Sequence, residues 1–478
     1  MRELLIFFLL IFGFTVHSNT SKNSTFPPDS AASSAYVIIR NIELSGNKIT
    51  KERIIRRELL FKENDTIPVN EISSILTQSR QNLVNTSLFN IVHIDSIPVN
   101  NSPILLDVKL SFTERWYVWP VPILEFADRN INEWLKKKDW NRINYGMFLT
   151  WNNFRGRREK LILFTRFGFD QKFELSYQIP YINKKQTWGV GAAGGFAQNH
   201  EIAYNSIDNR EVFYRDENIS PKRETFAYTE AYHRKGIHNM HWFKFKYTDL
   251  DVTDSVIIFN PDYSFSPYTN NKFFSLFYQY RSDYRDFKQY PLTGHYFDAM
   301  IDKKGLGFME GQDVNTLDMK ANYRQYNNIG GRFYWASGLT GKVSPIGNSQ
   351  PYYYQKGLGY GRDFVRGYEF YVIDGQHYAL LKNNLKFELV SMREFSLDFI
   401  PSDKFSKLYY AFYLNVFADF GYVVDHRNIS TNPLANDILA GYGIGLDFAT
   451  YYDFVVRFEY SFNKLGESGF FISFMPSI

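Results

Sequence analysis

The residues best placed to do chemistry in this 478-residue chain are charged rather than nucleophilic. Arg366 stands in the tetrad Val365-Arg366-Gly367-Tyr368, shortly after the glycine-rich run Gly357-Leu358-Gly359-Tyr360-Gly361. A guanidinium presents five donors in a planar fork that a carboxylate can hold at two points, and the adjoining glycine permits a tight loop tip. A matching acid has to project from a neighbouring element. Two candidates are Asp419, in Phe417-Ala418-Asp419-Phe420-Gly421, and Glu388, in Leu385-Lys386-Phe387-Glu388-Leu389. The plainer alternative makes Arg366 a solvated loop arginine and Asp419 an isolated carboxylate.

Enzymatic constellations are not found. His238 and His241 are three apart at the entry to an expected strand, which would turn them to different faces, so they make no ligand pair. The run Gly357–Gly361 has no βαβ unit around it, and Ala336 to Lys342 carries Ala where a phosphate loop needs its first Gly and Val343 where it needs Ser or Thr. No Gly-x-Ser-x-Gly elbow occurs. No catalytic, cofactor-binding or metal residue is therefore assigned. Without any cysteine there is no disulfide frame, thiolate metal site or lipidated cysteine, and a formal charge of +4 over this length gives no footprint for nucleic acid.

The elements that must position Arg366 and its acid are strands. From Leu408 to Phe420 every even residue is apolar, while the odd positions admit Asn415 and Asp419. Ile438 to Phe448 repeats the pattern against Gly441, Gly443, Gly445 and Asp447. Phe454 to Phe462 repeats it against Arg457, Glu459, Ser461 and Asn463. Period-two alternation over about ten residues, recurring with turns between, describes an antiparallel transmembrane β-barrel with a greasy outside and a wet lumen. Asp419 and Glu388 both fall on the lumen side by this parity. Aromatics at 18% alongside charged residues at 22%, with a mean hydropathy of −0.34, agree with such a wall. The only long apolar run is Leu4 to Val16, too short for a membrane helix and suited to a cleaved secretory signal, here 1–18, followed by a disordered linker, 19–35. Secretion plus a barrel implies a bacterial outer membrane. Trp116, Trp119, Trp134, Trp140 and Trp151 suggest an aromatic belt at the edge nearest the N-terminal unit, with Lys136-Lys137-Lys138 solvating a turn beside it.

Residues 36–115 have a different texture. Tyr36 to Leu44 reads as a strand, Lys51 to Leu60 as a short helix with Ile55 and Leu59 on one face, and Asn70 to Asn85 as a second helix. That helix carries the stripe Ile72, Ile75, Leu76, Ser79 and Leu83. Strands Ile91 to Ile97 and Ile104 to Phe112 follow around a turn at Pro98–Pro103. This is a β-α-α-β-β unit.

The strings Ile42-Glu43-Leu44-Ser45-Gly46-Asn47, Ile54-Ile55-Arg56-Arg57-Glu58-Leu59 and Leu83 to Val92, with Phe112-Thr113-Glu114-Arg115, resemble a POTRA domain, and the barrel resembles that of the BamA/TamA-type bacterial surface antigen superfamily. The resemblance implies sixteen strands over 116–478, where alternation alone allows roughly fourteen to eighteen. It implies that the Val-Arg-Gly-aromatic tetrad tips a long outer loop folded back into the lumen, with Asp419 at the family's acidic position and Glu388 somewhat off it. It also implies a non-enzymatic outer-membrane protein that assists insertion or translocation of other proteins. Its POTRA domain would be periplasmic, and its partners would be unfolded outer-membrane or secreted clients, outer-membrane lipid and accessory lipoproteins. Room for a single POTRA domain and an ending without a terminal aromatic favour an accessory or client-dedicated role. A two-partner-type secretion pore and a passive channel are the alternatives. Closure is expected between a first strand near Asn144 to Asn152, carrying Tyr145 and Trp151, and a last strand near Gly469 to Met475, carrying Gly469, Phe471 and Ser473. Gly466 and Gly469 fit either a frayed last strand or a plain hairpin turn. Long outer loops are expected at Asn199–Lys222, Asn260–Asn271 and Ser344–Gly367.

Overall fold

The computed structural model describes residues 36–99, 102–126, 140, 143–216, 218–264, 269–309, 313–346, 350–396, 407–427, 431–450 and 455–473. The expected signal and linker, Trp134, the three lysines 136–138, the centre of the 98–103 turn and Met475 lie outside them.

The N-terminal unit runs β1 (Tyr36–Ser45), α1 (Glu52–Arg56), β2 (Thr66–Pro68), α2 (Val69–Val84), β3 (Phe89–Val99) and β4 (Ser102–Glu114). Its sheet has the order β2-β1-β4-β3, with β1 and β4 parallel. The stripe on α2 behaves as its spacing requires. Ser79 and Leu83 are fully buried, and Ile72, Ile75 and Leu76 pack on a core that includes Ile39, Ile55, Phe89, Val108 and Leu110. Each large apolar side chain so buried contributes about 1.5–3 kcal/mol. The first helix is shorter than Lys51 to Leu60: past Arg57 the chain tightens, and the Leu60 N–H is captured by Ser79 Oγ at 3.1 Å, which draws the segment across α2. Strand β2, three residues long, is too short to leave a periodic signal.

The barrel wall is one sheet of sixteen antiparallel strands. In chain order these are β5 (Val118–Phe126), β6 (Ile143–Phe154), β7 (Glu159–Gly168), β8 (Gln171–Ile179), β9 (Trp188–Asn199), β12 (Lys222–Lys235), β13 (Asn239–Val252) and β14 (Asn270–Asp283). The second half is β15 (Gly294–Lys304), β16 (Thr316–Gly330), β17 (Phe333–Val343), β20 (His377–Ser396), β21 (Lys407–Val424), β22 (Ile438–Thr450), β23 (Val455–Asn463) and β24 (Ser468–Ser473). Two small hairpins, β10 (Glu201–Ile207) with β11 (Arg210–Arg215) and β18 (Lys356–Leu358) with β19 (Ile373–Asp374), sit in connections, as does α3 (Asp254–Phe259). Because β5 leaves the N-terminal unit and strands alternate, the turns after β6, β8, β12 and β14 lie at the near rim beside that unit. The three expected long loops all fall at the far rim.

Alternation sets the two faces. Leu414, Val416, Phe420, Tyr442, Ile444 and Phe458 are exposed on the outside, while Asn415, Asp419, Asp447, Arg457 and Glu459 are buried inside. An apolar outer surface extending over strand after strand is what a bilayer covers. The described residues contain no helix long and apolar enough to cross a membrane.

Two expectations need correction. The first strand is β5, and the stretch near Asn144 to Asn152 is the second strand, with Tyr145 opposite Leu124 and Trp151 opposite Val118. The five tryptophans do not share one belt: Trp119 and Trp151 adjoin the near rim, whereas Trp140 lies in the β5–β6 connection at the far rim.

Candidate functional site

The connection from Ser344 to Gln376 turns back into the lumen. Its Leu358, Val365, Tyr368 and Ile373 pack against Tyr378, Leu380, Val423 and Leu439 of the wall. At its tip Arg366 is 1% exposed. The guanidinium forks onto Asp419, with Nε to Oδ2 at 2.7 Å and Nη2 to Oδ1 at 2.6 Å, and the Arg366 backbone N–H donates to the same carboxylate at 3.2 Å. The remaining donors reach Glu459 Oε1 of β23 at 3.1 Å and Asn384 Oδ1 of β20 at 2.7 Å. The ring of Phe417 lies 3.8 Å beneath the guanidinium carbon.

Glycine makes this approach possible in two places. A Cβ on Gly441 of β22 would stand 1.7 Å from the Arg366 carbonyl oxygen, and Gly367 adopts φ +92°, a left-handed conformation that other residues resist. A fully buried, bidentate and hydrogen-bonded pair of this kind costs several kcal/mol to break, because the surviving partner is left charged in a poorly solvated site.

A second buried cluster continues the network toward the near rim. Asp447 accepts from Arg457 Nε (2.9 Å), Asn415 Nδ2 (2.9 Å) and the hydroxyl of Tyr290 (2.7 Å), and Arg457 Nε also lies 3.5 Å from Glu459. Tyr290 arrives from the near-rim connection after β14, stacks on Tyr413 and carries Lys386 Nζ 4.1 Å from its ring centre. Strands β20 to β23 are thus tied together internally from both ends.

Of the expected site residues, Val365, Arg366, Gly367, Tyr368 and Asp419 are brought together. Glu388 is not: it faces inward on β20, but it lies four residues beyond Asn384, about 13 Å further along the strand, where it pairs with Tyr413 next to the near-rim turn. Glu459 and Asn384 take its place. Glu459 carried a signal, since its parity is inward, but parity fixes a face and not a height. Asn384 is neutral and Tyr290 comes from a distant connection, so neither was marked. His238 and His241 have separate partners, the Asp283 carbonyl and the Tyr278 hydroxyl.

The ends of the sheet form the second candidate feature. Gly469, Phe471 and Ser473 lie on the last strand, β24, opposite Ser461, Glu459 and Arg457, whereas Tyr145 and Trp151 are one strand away from the edge. Gly466, at φ +80°, closes the hairpin turn before β24. Among the described residues no ladder joins β24 to β5. The β5–β6 ladder shows which groups face that gap. Asn152 N–H donates to the Tyr117 carbonyl at 2.8 Å, so Trp119, Val121 and Ile123 bond to β6, and the backbone of Val118, Pro120, Pro122 and Leu124 points to the free edge. Proline has no N–H, so two successive donors are missing from that edge.

No family model matches the chain. A 72-residue stretch, 15% of this chain, is 33% identical to the outer membrane protein assembly factor BamA of Neorickettsia risticii, a match spanning only 9% of that protein. The fold is similar to that of CdiB from Escherichia coli, with a TM-score of 0.52, 14% identity, and coverage of 91% of this chain and 75% of that one. BamA from Haemophilus ducreyi lacking POTRA domains 1–3 aligns over 92% of this chain and 83% of that one at 16% identity and a TM-score of 0.49. The resemblance to the BamA/TamA-type superfamily therefore has a short stretch of sequence behind it, and the CdiB likeness supports the whole-chain fold.

Proposed function

We propose that this chain is an outer-membrane assembly factor, accessory or dedicated to particular clients, that passes unfolded polypeptide from its N-terminal unit to the open seam of its barrel. In this reading the unit is a POTRA domain in the periplasm, the near rim is the periplasmic rim, and the apolar outer face sits in lipid. The client pairs by strand addition, first with a sheet edge of the POTRA domain and then with β5 or β24, and the bilayer completes its folding. No bond is made or broken, so no cofactor is required.

The observation that carries this reading is the seam. Inside a bilayer every unpaired backbone polar group costs several kcal/mol, and barrels avoid that cost by closing. Here the first strand withholds donors at Pro120 and Pro122, on the edge that faces away from β6. A donor-poor edge at the end of the sheet is the weakest joint in the wall. The Arg366 lock supports the same division of labour, because it stiffens β20 to β23 and leaves compliance to the ends of the sheet.

The native chain has no cysteine, so the seam can be locked cleanly. Cysteine pairs introduced on β5, starting from Val121, and on β24, starting from Phe470 and Ile472, should block client assembly when oxidised and restore it when reduced. Full client assembly by an oxidised, cross-linked protein would rule out seam opening.

A further inference from the structure

Between the N-terminal unit and the near rim lies a cavity of about 840 Å³ that the lumen lock does not touch. Its charge is unbalanced. Arg158, Arg234, Arg281, Arg285 and Lys288 line it from the barrel, against the acids Glu58, Glu159 and Asp283. Two of those acids are already engaged: Asp283 is held at two points by Arg285, both at 2.8 Å, and Glu159 is paired with Arg155 (2.8 Å) and Arg157 (3.2 Å).

Glu58 serves the rest. It is 1% exposed and belongs to the N-terminal unit, yet its carboxylate is gripped fork to fork by Arg234 of β12 at 2.6 and 2.8 Å. Arg158 and Arg57 stand behind at 3.6 and 3.8 Å. Tyr181 sits among them, accepting from Arg158 and Arg234 at 3.0 Å each. Among the described residues Lys288 makes no close ion pair: its ammonium reaches the Asn85 carbonyl at 3.5 Å, and Asp283, already held by Arg285, attracts it from further off. Arg281 reaches the Met240 sulfur at 3.5 Å. Burial first, then the repulsion of Arg158, Arg281 and Arg234, outweighs the attraction of Asp283 and pushes Lys288 down to about 8.

We propose that this vestibule is a binding site for an acidic polypeptide segment, for which Glu58 is the resident substitute, and that an incoming carboxylate displaces Glu58 from Arg234 and releases the N-terminal unit from the near rim. The inference rests on the polypeptide-handling reading and adds a substrate feature and a trigger to it. The occupant class is argued from the occupant already there, a side-chain carboxylate on a peptide backbone in two-point geometry, a form that arginine recognises well. Lys288 and Arg281 supply the first attraction, since two cations with no close ion pair among the described residues gain more from an arriving anion than tightly paired ones do. Exchange at Arg234 then replaces one carboxylate with another and leaves no charge stranded. The unit is held by further contacts that a displaced Glu58 would no longer support: Arg57 Nε to the Gln186 carbonyl (2.9 Å), Gln186 Nε2 to the Arg53 carbonyl (3.2 Å) and Asn85 Nδ2 to the Asp286 carbonyl (3.0 Å).

The test uses the full chain in nanodiscs. Anisotropy of a labelled Asp-Ser repeat peptide is compared with that of its Asn-Ser counterpart. In parallel, a cysteine pair at Arg53 and Gln186 reports whether the unit is docked. The acidic peptide alone should bind and should lower cross-linking. Lys288→Gln with Arg281→Gln should weaken binding about tenfold or more, as loss of a charge-assisted contact implies, and Glu58→Gln should tighten it by a similar factor by removing the competitor. Unchanged heat resistance of the barrel shows that each variant is folded. Equal binding of the two peptides, or indifference to both sets of substitutions, overturns the proposal. So does competition by inorganic phosphate or anionic-lipid vesicles with no response to the acidic peptide, which would assign the site to phosphate. These readouts do not involve client insertion, so their failure leaves the cysteine-locked seam experiment standing, and the reverse holds too.

Discussion

Two arginines in this molecule, one fully buried and one partly so, make the same fork-to-carboxylate contact and serve different ends. Arg366 and Asp419 both belong to the barrel, and four of the five guanidinium donors are taken by Asp419, Glu459 and Asn384. Arg234 belongs to the barrel, but its carboxylate, Glu58, comes from the N-terminal unit and is the main acid among several cations. The first is a lock, internally satisfied and with nothing to exchange. The second is a latch, whose charge excess favours a replacement. Position separates them as well: the lock ties strands in the middle of the sheet's second half, while the latch bridges two units across an open cavity.

Breaking the lock should have the largest effect. Arg366→Ala leaves Asp419 buried without its guanidinium and Glu459 with only Arg457 at 3.5 Å, an expected loss of about 3–5 kcal/mol. It should be seen as a lower temperature for conversion of the heat-resistant barrel to its unfolded mobility on gels. Adding Asp419→Ala should recover part of that loss. Breaking the latch should leave the barrel's heat resistance alone. Burial by itself would raise the Glu58 carboxyl, but the hydrogen bonds and charge of Arg234, with Arg158 and Arg57 behind, outweigh it and hold the group at about 2 against an ordinary 4.5. A depressed carboxyl contributes stability that is complete above its unfolded value and lost as pH falls through its folded value. Docking should therefore weaken between about pH 4.5 and pH 2, by up to about 3 kcal/mol. The groups facing Glu58 there are Arg57, Arg158, Arg234 and Tyr181. Glu58→Gln should show weak docking already at neutral pH and little further pH dependence, measured by hydrogen exchange in α1. A flat profile in the parent protein would contradict the latch.

Two further substitutions should have smaller effects. Gly441→Ala puts a methyl group where the Arg366 carbonyl lies, so the loop tip must shift, at about 1–3 kcal/mol. The same heat-resistance assay should place it between the parent and Arg366→Ala. Glu388→Gln should fall within about 0.5 kcal/mol of the parent, because that side chain touches neither arginine.

Much of the lock was legible in sequence because strand parity is strict. In β21 to β23 a residue's odd or even number settles whether it meets lipid or lumen, which placed Asp419, Asp447, Arg457 and Glu459 inside. What parity cannot supply is the height at which inward residues meet, since that depends on strand tilt and stagger around the wall. This is why Glu388 stood in for Asn384 and Glu459. The first strand escaped notice for a related reason: Val118-Trp119-Pro120-Val121-Pro122-Ile123-Leu124 is apolar at both parities and interrupted by proline, so it has no alternation to read. The latch left no sequence signal at all. Glu58 was visible only as part of a family-like string, and its main partner, Arg234 on β12, lies 176 residues away in the chain.

Depletion of the chain followed by a census of outer-membrane proteins is the sharpest test of whether this barrel assembles other proteins. The expected result is a fall in the folded, membrane-inserted level of a set of other barrels, with their unfolded forms accumulating in the periplasm. An unchanged set of inserted barrels, or the loss of a single exported product alone, would contradict it.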